Sequence, residues 1–211
     1  MSAVMEKVTD TATLTTRYSG PFTLVIDAHS LKLTPEKFAL LCAANRDLRI
    51  EKTAQEELVI MAPAFPETSR KNGELFFQLR LWAGTDGRGV CFESSGGFTL
   101  PNGAERSPDA AWILRERYEA LPLAQRAKRF APIAPDFVIE LRSESDRLKP
   151  LQAKMQEYAA NGARLGWLID PKNKTVHIYR PDGAAEILEN PESVSGEEVL
   201  PGFVLRLGEI W

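Results

Sequence analysis

The sequence predicts an α/β or α+β domain, a β-sheet with helices packed on it. Apolar runs of strand length recur along the chain, among them "PFTLVIDA", "SPDAAWIL", "PDFVIEL", "LGWLID" and "TVHIYR". Between them lie segments whose apolar residues follow the helical repeat, and the order strand, helix, hairpin closes the second half. At 211 residues, 44% hydrophobic and 26% charged, the chain can bury one sizeable core and is too short for two. We expect a single domain over residues 21–211, behind a Thr-rich arm at residues 1–20 that lacks periodicity and should be poorly ordered.

Each element has a local reason. In "LTPEKFALLCAANRDL" Thr34 is a natural N-cap and Pro35 suits the first helical position. "LRIEKTAQEELVIMAP" alternates at its two ends and reads as two short strands. "SRKNGELFFQLRLWAG" carries Leu75, Leu79 and Trp82 at helical spacing. Strands "GVCFESSGGFTL", "SPDAAWIL" and "PDFVIEL" follow, then a helix, "LQAKMQEYAANG", stopped by Asn161 and Gly162. "LGWLID" and "TVHIYR" flank the turn "PKNK" as a hairpin, and "FVLRL" is the last strand.

Composition removes several function classes. The net charge of −3 provides no basic field for nucleic acid. The basic stretch "RERYEALPLAQRAKRF", with Arg115, Arg117, Arg126, Lys128 and Arg129, reads as solvated surface ahead of a phosphate contact. No apolar run approaches the roughly 20 residues of a membrane helix, and the N-terminus lacks a secretory pattern. Cys42 and Cys91 sit in apolar settings, which suggests a reducing compartment without a disulfide framework. A cytoplasmic protein with no membrane association is expected. His29 and His177 are isolated, which excludes histidine zinc sites, and neither a nucleophile elbow nor a nucleotide-cradling glycine loop occurs. His177, between Val176 and Ile178, reads as a surface residue of its strand. Carboxylate chemistry remains.

In "PDFVIELR" the strand period of two places Asp136, Val138, Glu140 and Arg142 on one face and Phe137, Ile139 and Leu141 on the other. Glu140 is ringed by apolar neighbours, where a carboxylate costs several kcal/mol unless it is paired or ligates a cation. Two readings stay open: an ion pair with Arg142, about 6.6 Å along the same face, or a metal ligand. Asp109 in "SPDAAWI" reads either as a plain strand-entry or turn residue or, on a strand neighbouring that of Glu140 at about 4.8 Å, as an acid that could share a divalent ion with it, whereas Asp136 lies roughly 13 Å off along the same strand as Glu140. Lys154 falls at the edge of the apolar stripe of its helix, beside Leu151 and Tyr158, and could reach inward over the sheet end or snorkel outward. Two carboxylates, a divalent ion and a lysine suit phosphodiester hydrolysis.

At these residues the sequence resembles the Uma-two family of restriction endonuclease-like proteins, formerly a domain of unknown function, in the PD-(D/E)XK nuclease superfamily. The likeness runs from "VIMAPAFPETSRKNGELFFQL" through "RSPDAAWI" and "PDFVIELRSESDRLKPLQAKMQEYAANGARLGWLIDPKNKTVHIYRP" to "VLPGFVLRL", most of the chain after residue 50. It implies a restriction endonuclease-like core, a central mixed sheet flanked by helices, and a Mg2+- or Mn2+-dependent nuclease acting on DNA. A homodimer would suit cleavage of both strands. By the family motif, Asp109, Glu140 and the Leu141 carbonyl hold the metal. The superfamily's usual lysine, two residues after the second acid, is Arg142 here, and Lys154 matches the place to which this family moves it. Arginine is too basic to accept a proton, so Arg142 is left as a phosphate contact. Glu74 matches an accessory acid of some members, and Glu144 stands where the family usually has proline, a change that should affect the start of the helix and not the chemistry. Two other readings are a nuclease fold serving as a DNA-associated accessory protein, and a nuclease acting on RNA.

Overall fold

A computed structural model describes residues 14–20, 23–181 and 183–211. Of the arm expected at residues 1–20, residues 1–13 lie outside the described part. Thr16–Gly20, read as part of that arm, instead form strand β1, which pairs antiparallel with β2 (Thr23–Asp27). Helix α1 (Pro35–Ala44) starts as its caps predict, with the Thr34 hydroxyl accepting from the Lys37 N–H at 3.3 Å. β3 (Arg49–Lys52) and β4 (Glu57–Met61) are the two short strands expected from alternation. Ile50 and Leu58 turn to α1, burying Phe38 and Cys42, while Arg49 and Glu51 take the opposite face.

Helix α2 (Pro66–Asp86) ends at Gly87, whose φ of 73° is the left-handed stop that glycine permits. β5 (Gly89–Glu93), β6 (Gly97–Thr99), β7 (Glu105–Arg106) and β8 (Ala110–Leu114) follow. The basic stretch after them folds as two short helices, α3 (Arg115–Ala120) and α4 (Leu123–Arg126). Three of its arginines are bound within the fold: Arg115 donates to the Gly87 and Gly89 carbonyls at 3.3 and 3.2 Å, Arg117 pairs with Asp136 at 2.7 Å and Arg126 lies over the Tyr118 ring. β9 (Phe130–Ala131) and β10 (Phe137–Leu141) lead to α5 (Leu148–Ala160), then β11 (Leu165–Asp170), β12 (Thr175–Tyr179), β13 (Glu186–Glu189), β14 (Ser193–Ser195) and β15 (Val204–Arg206).

Among the described residues two larger sheets result. The first has the order β1-β2-β4-β3-β7-β6-β9 and the second β13-β12-β11-β10-β8-β5. The second is mixed: β10 and β11 are parallel and joined through α5, and its other pairs are antiparallel. Its two faces are covered by different layers. Leu75, Leu79 and Ala83 of α2, with Phe203 and Leu205 near the C-terminus, pack on Trp112, Phe137, Ile139 and Trp167. Met155 and Tyr158 of α5 pack on Val138 and Leu168 from the other side. At Gly166 an added Cβ would stand 2.6 Å from the Met155 Cε and 3.2 Å from Val138 Cγ2, so glycine there leaves room for the Met155 tip over β11.

His177 corrects the surface reading. It is 5% exposed, because β13 pairs with β12 and extends the sheet past it. The sequence reading had no strand there. Burial pushes the His177 imidazole below its usual range, against Asp170 and Glu189, which favour the charged form.

On the α1 face of the first sheet, Glu105 is buried and neither of its carboxylate oxygens has a hydrogen-bond partner among the described residues. Burial pushes it up to about 7 from 4.5, with Lys52 opposing and Glu36 adding to the shift. The folded state thus holds this proton more tightly than the unfolded chain. Stability from Glu105 is full below about pH 4.5 and is lost as pH rises through about 7. Glu105→Gln should therefore melt a few degrees above wild type at pH 8 and close to it at pH 4.5, as read by calorimetry.

Candidate active site

The pairing of β8 with β10 ends at Ala110 opposite Ile139, which puts Asp109 beside Glu140 where the ladder opens. Asp109 Oδ2 accepts the Leu141 N–H at 2.9 Å, which ties the loop before β8 to the end of β10. Glu140 points to α5. Its Oε1 lies 2.8 Å from Lys154 Nζ and accepts from the Tyr158 hydroxyl at 3.1 Å. Lys154 therefore reaches inward. Its ammonium also meets Glu51 Oε1 at 2.9 Å, so one cation bridges a carboxylate of each large sheet.

Glu51 was not anticipated from the sequence. It is 1% exposed, accepts the Ser107 N–H at 3.0 Å and pairs with Arg106 at 3.2 Å, and Arg106 pairs in turn with Glu157 at 2.6 Å. Arg49, two residues earlier on the same face of β3, donates to the Ser107 carbonyl at 2.6 Å, and its Nη1 stands 3.4 Å from Asp109 Oδ1. Asn72 of α2 donates to the same Oδ1 at 3.3 Å. The only local signal for this group was the alternation of "RIEK", which placed Arg49 and Glu51 together opposite Ile50.

Burial alone would push Glu51 up, but Lys154, Arg106 and Arg49 outweigh it and hold the carboxyl well below its usual range. Glu140 goes the other way: burial, with Asp109 and Glu51 nearby, pushes it above its usual range against the attraction of Lys154. Burial opposes the charge of Lys154, yet Glu140 and Glu51 raise it, so it stays an ammonium through the neutral range.

The other expected site residues are placed elsewhere. Arg142 pairs with Asp170 at 2.7 Å and donates to the Asp146 carbonyl at 3.1 Å, so the Glu140–Arg142 pair left open by strand spacing is not formed. Glu74 accepts from Gln78 on its own helix at 2.9 Å and does not line the cleft described below. Asp136 sits at the far end of β10, where it accepts the Leu114 N–H and pairs with Arg117. At Glu144 the chain makes a turn in which Asp146 Oδ2 accepts from the Ser143 N–H at 2.9 Å, and α5 starts at Leu148.

These groups line a cleft of about 1510 Å³ whose walls come from β3, β4, the start of α2 and the first turns of α5. Among the described residues no three His, Cys, Asp or Glu side chains are grouped to hold a metal ion. The donors present still suit a hard divalent ion that keeps several waters and needs one or two carboxylates. Asp109 and Glu140 are adjacent, Glu140 Oε2 takes no hydrogen bond among the described residues, and beside Asp109 the buried Asn72 Oδ1 lacks a donor that a metal-bound water could supply.

This arrangement has relatives. A protein-family model, "Uma2: Putative restriction endonuclease", matches residues 35–208. The chain belongs to the Uma2 family. The Uma2 chain is also similar to a solved structure described as "a putative nuclease belonging to DUF820" from Anabaena variabilis ATCC 29413. That likeness has a TM-score of 0.70 at 20% identity, over 84% of this chain and 97% of the other. It bears out the mixed sheet with flanking helices. No curated protein matches the sequence. Among the described residues no helix of this Uma2 chain is long and apolar enough to cross a membrane.

The buried pairs and the surface pairs should differ sharply when broken. Glu51→Gln leaves Lys154 and Arg106 short of a buried counter-charge and should cost about 3–5 kcal/mol in urea unfolding. Arg17→Gln removes a pair with Glu57 whose arginine is 57% exposed, and should cost less than about 1 kcal/mol.

Proposed function

We propose that this Uma2 chain is an endonuclease that hydrolyses DNA phosphodiester bonds with Mg2+ or Mn2+. The observation that carries the reading is the adjacency of Asp109 and Glu140 at an open ladder end, with the Lys154 ammonium 2.8 Å from Glu140, in a cleft of about 1510 Å³. Asp109, Glu140 and the Leu141 carbonyl would hold the metal. When bound, the ion lowers the pKa of a water and offsets charge on the phosphate. Lys154 orients the attacking water or holds a phosphate oxygen. Tyr158 and Glu51 keep Glu140 and Lys154 from turning into solvent. Cutting both strands favours a homodimer, in which a two-fold axis presents two such sites.

A second reading keeps the fold and drops the chemistry. Glu140 already has Lys154 and Asp109 already has Arg49 close by, so the carboxylates could serve as structural ion pairs in a DNA-associated accessory protein. Plasmid, single-stranded DNA and RNA incubated with Mg2+ or Mn2+ separate these readings. Wild type should nick plasmid, and Asp109→Ala, Glu140→Gln and Lys154→Ala should each be slower by about a hundredfold or more. Equal rates in all four proteins would remove these residues from the reaction. An inactive wild type that also binds no Mn2+ by calorimetry would leave the accessory role, and cleavage confined to RNA would change the substrate.

A further inference from the structure

Four cations surround the carboxylates, and three of them are spoken for. Lys154 is held by Glu51 and Glu140, Arg106 by Glu51 and Glu157, and Arg142 by Asp170 and the Asp146 carbonyl. Arg49 differs. A guanidinium carries five N–H donors in a planar fork, yet this one makes a single short bond, from Nη2 to the Ser107 carbonyl at 2.6 Å. Its Nη1 contact to Asp109 is long at 3.4 Å, and its buried Nε–H has no acceptor among the described residues. The side chain is 33% exposed and lines the cleft beside both carboxylates.

We infer that Arg49 is the residue that receives the substrate's phosphate, exchanging its long contact with Asp109 for a charge-assisted fork on the phosphate oxygens. This rests on the nuclease reading and assigns to Arg49 the role that sequence reasoning gave to Arg142. The exchange has a physical logic. In its present pose the guanidinium leaves one donor unmade and another stretched, so turning onto a phosphate adds bonds without breaking a good one. It also leaves Asp109 Oδ1 with Asn72 as its one remaining donor among the described residues at the moment a phosphate arrives. Arg142 would have to abandon a 2.7 Å pair with the fully buried Asp170, which strands that carboxylate.

The test measures binding apart from cleavage. Fluorescence anisotropy of a labelled DNA duplex in Ca2+ buffer across a salt series compares wild type, Arg49→Gln, Arg49→Lys and Arg142→Gln, each checked by its melting curve. Arg49→Gln should bind at least about tenfold more weakly, and its slope of log Kd against log salt should fall by about 0.9, the loss of one phosphate contact. Arg49→Lys should restore the slope with only part of the affinity, since lysine keeps the charge and loses the fork. Arg142→Gln should leave the slope unchanged. A wild-type slope in Arg49→Gln, or a reduced one in Arg142→Gln alone, overturns the inference while leaving the nuclease reading intact. Titration of inorganic phosphate followed by 31P NMR separates the two failures. Phosphate binding that depends on Arg49 without DNA binding keeps Arg49 as a phosphate-binding residue and sinks the DNA nuclease, and binding of neither probe sinks both.

Discussion

The ammonium of Lys154 is the point on which the fold depends. It lies between Glu51 of the first sheet and Glu140 of the second, at 2.9 and 2.8 Å, and it is carried by the helix that joins β10 to β11. The attraction within such a buried set is largely offset by the cost of taking its members out of water. Its importance lies in what it forbids. Neither sheet can slide, and α5 cannot turn, without leaving a buried charge unpaired. The group that would orient the reacting water is thus also the group that fixes the relation between the three elements bearing the site.

This double use explains the electrostatics of the cleft. Glu51 and Glu140 share one cation, but Glu51 has Arg106 as well and Glu140 has a neighbouring carboxylate instead. The same lysine therefore leaves one acid firmly ionised and the other reluctant to ionise. A reluctant carboxylate next to an open ladder end is a place where added positive charge gains most, and it lies where the strand pairing opens into the cleft.

Much of the fold could be read locally. Thr34 and Pro35 start α1, Asn161 and Gly162 stop α5, and the period of two assigns Phe137, Ile139 and Leu141 to one face and Val138 and Glu140 to the other, because each of these signals acts within a few residues. Asp109 and Glu140 were legible for a related reason: strand spacing is nearly constant, so two acids at facing ladder positions must be neighbours. The partners were not. Glu51 meets Lys154 across 103 positions of sequence, and Arg142 finds Asp170 across 28. Nothing in "RIEK" or "LID" announces which distant charge will close the pair. His177 failed for the same reason, since its exposure is decided by a later strand and not by its own neighbours.

Gly166 never touches the site, yet it belongs to the packing beneath it. With no side chain at that position, the tip of Met155, the residue that follows Lys154 on α5, lies over β11. A methyl group there would displace that flexible tip and crowd Val138 Cγ2 at 3.2 Å, on the strand that carries Glu140. A change at a position without charge would thus be felt, through one methionine and one valine, on both the helix of Lys154 and the strand of Glu140.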